Sequence, residues 1–206
     1  MPMWNLPANW CAEPPPFEPM TPTTVLILPG WQGSGPGHWQ MRWAAQQGYT
    51  VVEQDDWLRP RRGDWLARLD EVVINTPAGI SGANIVLVAH SLGCIQVAAW
   101  AAVSHHTARV RGALLVAPGD VEQADLREQI PGWAPIVRQR LPFAATLVGS
   151  SNDPFCSHAR ARGLALDWGA HWVSLGGAGH INADSGLGDW PEGHALLEEL
   201  MGHTPA

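Results

Sequence analysis

Ser91, Asp153 and His180 are the residues whose types and order along the chain could do chemistry. A serine hydroxyl is a poor nucleophile at neutral pH and needs a neighbouring base to take its proton. Histidine is the usual base, and a carboxylate orients it and stabilises the imidazolium that forms. Each candidate sits in a loop-forming segment. Ser91 lies in Asn84-Ile85-Val86-Leu87-Val88-Ala89-His90-Ser91-Leu92-Gly93-Cys94, where an apolar run meets a small-x-Ser-x-Gly turn and a helix-forming segment follows. That pattern reads as a nucleophile elbow, with Ala89 where the first glycine usually stands. Asp153 follows in Gly149-Ser150-Ser151-Asn152-Asp153-Pro154, and His180 in Gly176-Gly177-Ala178-Gly179-His180.

An acyl-transfer site also needs N–H donors for the negative oxygen of its tetrahedral intermediate. The backbone amide of Leu92, directly after the serine, is one candidate, and the amide of Trp31 in Pro29-Gly30-Trp31-Gln32-Gly33-Ser34-Gly35 is the other. Here Gly30 is expected to let the chain turn so that the Trp31 N–H faces the site. The same glycines could suggest a phosphate cradle. The Walker lysine is missing, however, and Gly33-x-Gly35-x-Gly37 lacks dinucleotide-binding spacing. Trp133, Phe155 and Ile181 are candidate pocket walls, with plain core packing as the competing reading. His38, at the start of a helix near the glycine loop, is the one serious competitor to His180. A metal site from His90, Asp153 and His180 is conceivable, but no ligand spacing favours it, and no metal or cofactor is expected. Asp153 before Pro154 could also serve only as a helix cap.

The elements that must position these residues alternate. Strands are expected at Thr24–Leu28, Tyr49–Glu53, Ile85–Ala89, Ala113–Ala117, Ala145–Val148 and His171–Leu175. Helices are expected at Trp39–Gln47, after an Asp64 N-cap with Leu66, Leu69, Val72 and Val73 on one face, and at Ile95–Val103, Phe155–Trp168 and Glu192–Met201. Strand–helix alternation implies an α/β fold with a mostly parallel sheet covered on both faces. Reactive groups then gather at the carboxyl ends of the strands, where all three candidates fall. The stretch holding Pro131, Trp133 and Pro135 is the best candidate for a small cap.

Composition narrows the class. At 206 residues the chain reads as a proline-rich N-terminal extension over residues 1–23 and one domain over 24–206. A net charge of -7 argues against a nucleic-acid partner. Arg59, Arg61 and Arg62, flanked by Asp55, Asp56 and Asp64, read as a solvated loop. Twelve tryptophans must mostly line the core, with several near turns free to wall a pocket. Three scattered cysteines show no metal or disulfide pattern and fit a cytoplasmic setting. No apolar run reaches membrane-spanning length, and the N-terminus lacks the features of a secretory signal.

Taken together, the segments LPGWQGSGPGHWQ (28–40), VLVAHSLGC (86–94), SSNDPF (150–155) and GHINADSGLGDWP (179–191) resemble the retinoblastoma-binding-protein-nine/YdeN family of small serine α/β-hydrolases. The resemblance runs from about Val25 to the end. It implies six strands in the order 2-1-3-4-5-6, no large lid, no cofactor, and a triad at Ser91, Asp153 and His180. The family's Leu-x-Cys-x-Glu partner motif is not reproduced, because Leu92-Gly93-Cys94-Ile95-Gln96 ends in glutamine. The expected activity is hydrolysis of a small carboxylic ester or related acyl substrate. An acyltransferase or thioesterase with the same triad, and a protein-interaction module on a weakly active scaffold, stay open as alternatives.

Overall fold

Strand pairing in the computed structural model, which describes residues 23–78 and 82–202, builds one six-stranded parallel sheet in the order β2-β1-β3-β4-β5-β6. The proline-rich extension lies outside the described residues, Thr23 apart. The elements are β1 (Thr24–Leu28), α1 (Trp39–Gln47), β2 (Thr50–Val51), α2 (Arg62–Asn75), β3 (Ile85–His90), α3 (Leu92–Ala101), β4 (Val110–Val116), α4 (Ala124–Gln129), β5 (Ala144–Gly149), α5 (His158–Trp168), β6 (His171–Ser174) and α6 (Pro191–Met201). Every strand pair is parallel, so the sheet is wholly rather than mostly parallel.

Alternation along the strands divides the interior into two layers. Leu26, Leu28, Ile85, Leu87 and Ala89 face a core built with Trp65 and Leu69 of α2, Ile95 and Trp100 of α3, and Leu164 and Trp168 of α5. Val25, Ile27, Val86 and Val88 face the other core, built with Trp39 and Trp43 of α1 and Leu197 and Met201 of α6. All six residues of β3 are buried, as a central parallel strand covered on both faces requires. Indoles dominate the largest buried side chains: Trp39, Trp43, Trp65, Trp100, Trp133, Trp168 and Trp190 are all within this interior.

Some element boundaries differ from expectation for local reasons. Helix α2 starts at Arg62, so Asp64 lies inside its first turn, where a negative charge suits the helix dipole, rather than capping it. Helix α5 starts at His158 behind a Ser157 cap, because Asp153 and Pro154 set a turn that Phe155 and Cys156 complete outside the helix. Strand β2 is only two residues long. Helix α3 begins immediately after Ser91. The segment between β4 and β5 holds only the six-residue helix α4, a short cap rather than a large lid.

Among the described residues no helix is long and apolar enough to cross a membrane.

Candidate active site

Three loops meet above the end of β3, and the turn that carries Ser91 explains how. Ser91 has φ 54° and ψ −119°, a conformation costly for a residue with a Cβ. It is held by its own N–H, which donates to Val116 O on β4, and by the start of α3. The glycines beside it answer a demand for space. A Cβ on Gly93 would collide with the carbonyl of Leu28, so α3 can cross this close to β1 only with glycine there. A Cβ on Gly30 would lie 2.7 Å from the Ser91 Cβ. Gly30 itself does not adopt a positive φ; Gln32 and Gly33 make the turn. Its role is therefore clearance for the serine rather than the backbone freedom expected of it.

The Ser91 Oγ lies 2.9 Å from His180 Nε2, and the other ring nitrogen, Nδ1, lies 2.8 and 3.0 Å from the two Asp153 oxygens. A carboxylate can only accept, so Nδ1 carries the proton and Nε2 accepts from the serine hydroxyl. Asp153 Oδ1 also accepts the Phe155 N–H at 2.8 Å. The helix-cap reading and the site reading of Asp153 thus coexist in one carboxylate. The Leu92 and Trp31 amides border the same cleft, and neither donates to another group among the described residues. The cleft has a volume of about 360 Å³ and is walled further by Val121, Leu126, Ile130, Phe155, His38 and Asn182. The Phe155 ring packs edge-on against His180 with centroids 4.6 Å apart.

Trp133 and Ile181 do not line this cleft. Trp133 is fully buried against Trp65, and its indole N–H donates to Pro60 O at 2.8 Å, which pins the cap segment to the loop before α2. Ile181 is fully buried beside α1, and its carbonyl accepts the Trp39 indole N–H at 2.8 Å. In both cases a large apolar side chain next to a site loop anchors that loop to the core instead of facing substrate. The Ser91-oriented histidine is His180, while His38 caps α1, its Nδ1 accepting the Gln40 N–H.

Several supporting residues were given no role by the sequence reading. Asn152 Oδ1 accepts from Gly179 N at 2.7 Å and from Ser150 Oγ at 2.8 Å. Ser150 Oγ also reaches Gly176 O and accepts the Ala178 N–H, so one short segment holds the His180 loop. Loss of this clasp should misplace the imidazole more than it unfolds the chain. Asn152→Ala is expected to lower kcat about tenfold, roughly 1.4 kcal/mol of transition-state stabilisation, with a stability loss of about 1 kcal/mol. Steady-state kinetics beside urea unfolding measure both.

Gln40 is fully buried beneath the glycine loop; it accepts from Ser34 Oγ and donates to Leu28 O and Val88 O. Arg160 of α5 pairs with Asp120 at 3.1 Å and with Glu122, fixing the loop that presents Val121. His90 Nε2–H donates to His180 O at 2.9 Å. His180 spends Nδ1 on Asp153 and Nε2 on Ser91, and among the described residues no three His, Cys, Asp or Glu side chains, His90, Asp153 and His180 included, are grouped to hold a metal ion.

Two of the three histidines here are forced neutral. Burial, helped by nearby His180, lowers His38 from 6.5 to about 4. Burial first, then His180 and His38, hold His90 well below its ordinary value. The unfolded chain therefore takes up protons near pH 6.5 that the folded chain refuses until lower pH, so stability is intact above 6.5 and falls as pH drops. At pH 5 the His38 contribution alone is a loss of about 2 kcal/mol relative to pH 7. Urea unfolding at the two pH values measures it, and equal midpoints would contradict the burial assigned to these rings.

A parallel sheet in this order, with a serine elbow on its third strand and helices on both faces, defines an α/β-hydrolase. Residues 25–199 match the Serine hydrolase family, and the chain belongs to it. Among solved structures it is similar to a putative YdeN-like hydrolase from Pectobacterium atrosepticum, 26% identical, covering 88% of this chain and 91% of that one, with TM-score 0.72. The ydeN gene product of B. subtilis is 21% identical over 87% of this chain and 99% of that one, with TM-score 0.70. A thermophilic esterase of Thermogutta terrifontis, with propionate bound, shares the fold at 16% identity, 94% and 89% coverage, and TM-score 0.62. Among curated proteins none matches the sequence.

Proposed function

We propose that this serine hydrolase cleaves a small carboxylic ester or related acyl substrate through an acyl-enzyme on Ser91. The observation that carries the reading is the continuous line from Asp153 through His180 to Ser91, with contacts of 2.8 and 2.9 Å, ending beside two amides that have no other partner among the described residues. Ser91 Oγ attacks the substrate carbonyl while His180 Nε2 takes its proton. The carbonyl oxygen becomes negative and is received by the Trp31 and Leu92 N–H groups. His180 then gives the proton to the leaving oxygen as the carbon–oxygen bond breaks. Water, deprotonated by the same nitrogen, attacks the acyl-serine; the serine recovers its proton and the carboxylic acid departs. Asp153 keeps the proton on Nδ1 throughout and offsets the imidazolium charge.

No step asks for a metal or cofactor. Among the described residues the thiols of Cys94 and Cys156 are buried and unpaired, which supports work in a reducing compartment such as the cytoplasm. A p-nitrophenyl ester series tests the activity: purified enzyme should release nitrophenolate with a burst equal to the serine sites when deacylation is slower. Product analysis with added alcohols separates hydrolysis from acyl transfer. A folded enzyme that turns over neither esters nor short thioesters would contradict the proposal.

A further inference from the structure

One side chain of the cap borders two cavities. The cleft above Ser91, about 360 Å³, is closed on its cap side by Val121, Leu126 and Ile130. A second cavity, about 610 Å³, lies between the cap and the segment that leads into α2. Ile130 lines both, and no other residue of the cleft does. The floor of the second cavity is mostly apolar. Pro60, Trp65 and Ile130 are buried there beside Gln54, while its charged residues, Arg68 apart, are exposed.

Ile130 forms a fixed partition rather than a flap. It is 3% exposed and belongs to the core of α2, α3 and α5. Its N–H donates to Leu126 O at 2.9 Å, closing α4. Further along the same segment the Trp133 indole N–H donates to Pro60 O at 2.8 Å, and its ring packs edge-on against Trp65 at 5.4 Å. The cap is thereby fastened to the far side of the second cavity. A side chain packed this way resists the displacement that a longer occupant of the cleft would need.

The proposed mechanism sets which part of a substrate meets this wall. His180 Nε2 must hand its proton to the leaving oxygen, so the leaving group lies beside His180, Asn182 and Ala183. The carbonyl oxygen turns to the Trp31 and Leu92 amides. What remains on the carbonyl carbon is the acyl chain, and the aliphatic side chains of the cap are left to receive it. We infer that Ile130 ends the acyl site, so that the enzyme selects short straight-chain acyl groups and the second cavity is a blocked extension of that site. This rests on the hydrolase reading above and deepens it.

The test is a series of p-nitrophenyl esters from acetate to octanoate, read as kcat/KM in wild type, Ile130→Ala, Ile130→Val and Leu126→Ala. Wild type should peak at butanoate and fall about tenfold by octanoate. Ile130→Ala joins the two cavities and should raise the octanoate-to-butanoate ratio about thirtyfold, as roughly two to three newly buried methylenes at about fourfold each would give. Ile130→Val should move the ratio the same way by about threefold, which keeps the test alive if alanine fails to fold. Leu126→Ala frees space only within the cleft and should change the ratio less than about threefold. Each ratio is taken on one preparation, so loss of folded enzyme cancels. A companion series from methyl to hexyl butanoate, which lengthens the alcohol instead, should respond alike in wild type and Ile130→Ala. A wild type that accepts octanoate as well as butanoate, an equal shift from Leu126→Ala, or a shift confined to the alcohol series overturns the assignment. A wild type labelled at Ser91 by a fluorophosphonate that cleaves no ester of either series overturns it too, and leaves a serine hydrolase of another substrate class. A folded wild type that is not labelled overturns both readings.

Discussion

Ser91→Ala should abolish covalent catalysis, leaving only about 10³–10⁴-fold of acceleration over the uncatalysed reaction. That remainder is expected from the Trp31 and Leu92 amides, which on the proposed mechanism would still receive a developing oxyanion, and from binding in the cleft. Water would have to attack the carbonyl directly. The loss should appear in kcat with little change in KM, since the hydroxyl acts in the transition state rather than in substrate binding. The fold should not suffer. Among the described residues the side-chain oxygen bonds only to His180, and alanine meets the same strained backbone at φ 54° that serine already tolerates. Melting within about 0.5 kcal/mol of wild type, beside lost turnover, therefore separates chemistry from stability. Undiminished turnover would remove Ser91 from the mechanism.

Asp153→Asn should be nearly as severe, for a reason visible in the hydrogen bonds. Asp153 Oδ1 accepts the Phe155 N–H as well as facing His180, so the asparagine oxygen stays with that amide. Its NH₂ then faces His180 Nδ1, which can answer only by accepting. The ring proton moves to Nε2, opposite Ser91, and the base can no longer take the serine proton. A kcat loss of about 10⁴ with an intact fold is expected for a wrong tautomer of this kind. Steady-state kinetics measure it, and an unchanged kcat would mean that the carboxylate does not orient the imidazole.

Much of the architecture was legible because its signals are local or cumulative. Ile85–Ala89 is apolar at every position, which a central parallel strand needs, and the glycine at position 93 is demanded by close passage of α3 over β1. Strand–helix alternation implied the parallel sheet, and the family resemblance alone supplied its order. Less legible were directions of side chains. Ile181 follows His180 and Trp133 sits in the cap segment, yet each turns inward, since nothing local says which face of a loop meets the core. Gln40, Ser150 and Asn152 were missed for a related reason. Their partners, such as Val88 and Gly179, are 48 and 27 residues away, and neither an amide in the first turn of a helix nor an amide or hydroxyl in a loop signals a distant partner by periodicity. His38 was noticed only as a rival base. Its cap bond to Gln40 and its packing against His90 become visible only in three dimensions.

Mass spectrometry of the protein after brief exposure to a fluorophosphonate tests the covalent role of Ser91 most directly. The account predicts a single phosphonyl adduct on the peptide containing Ser91, absent from Ser91→Ala and slowed in Asp153→Asn. A folded wild type that acquires no adduct, or acquires it on a different side chain, would contradict it.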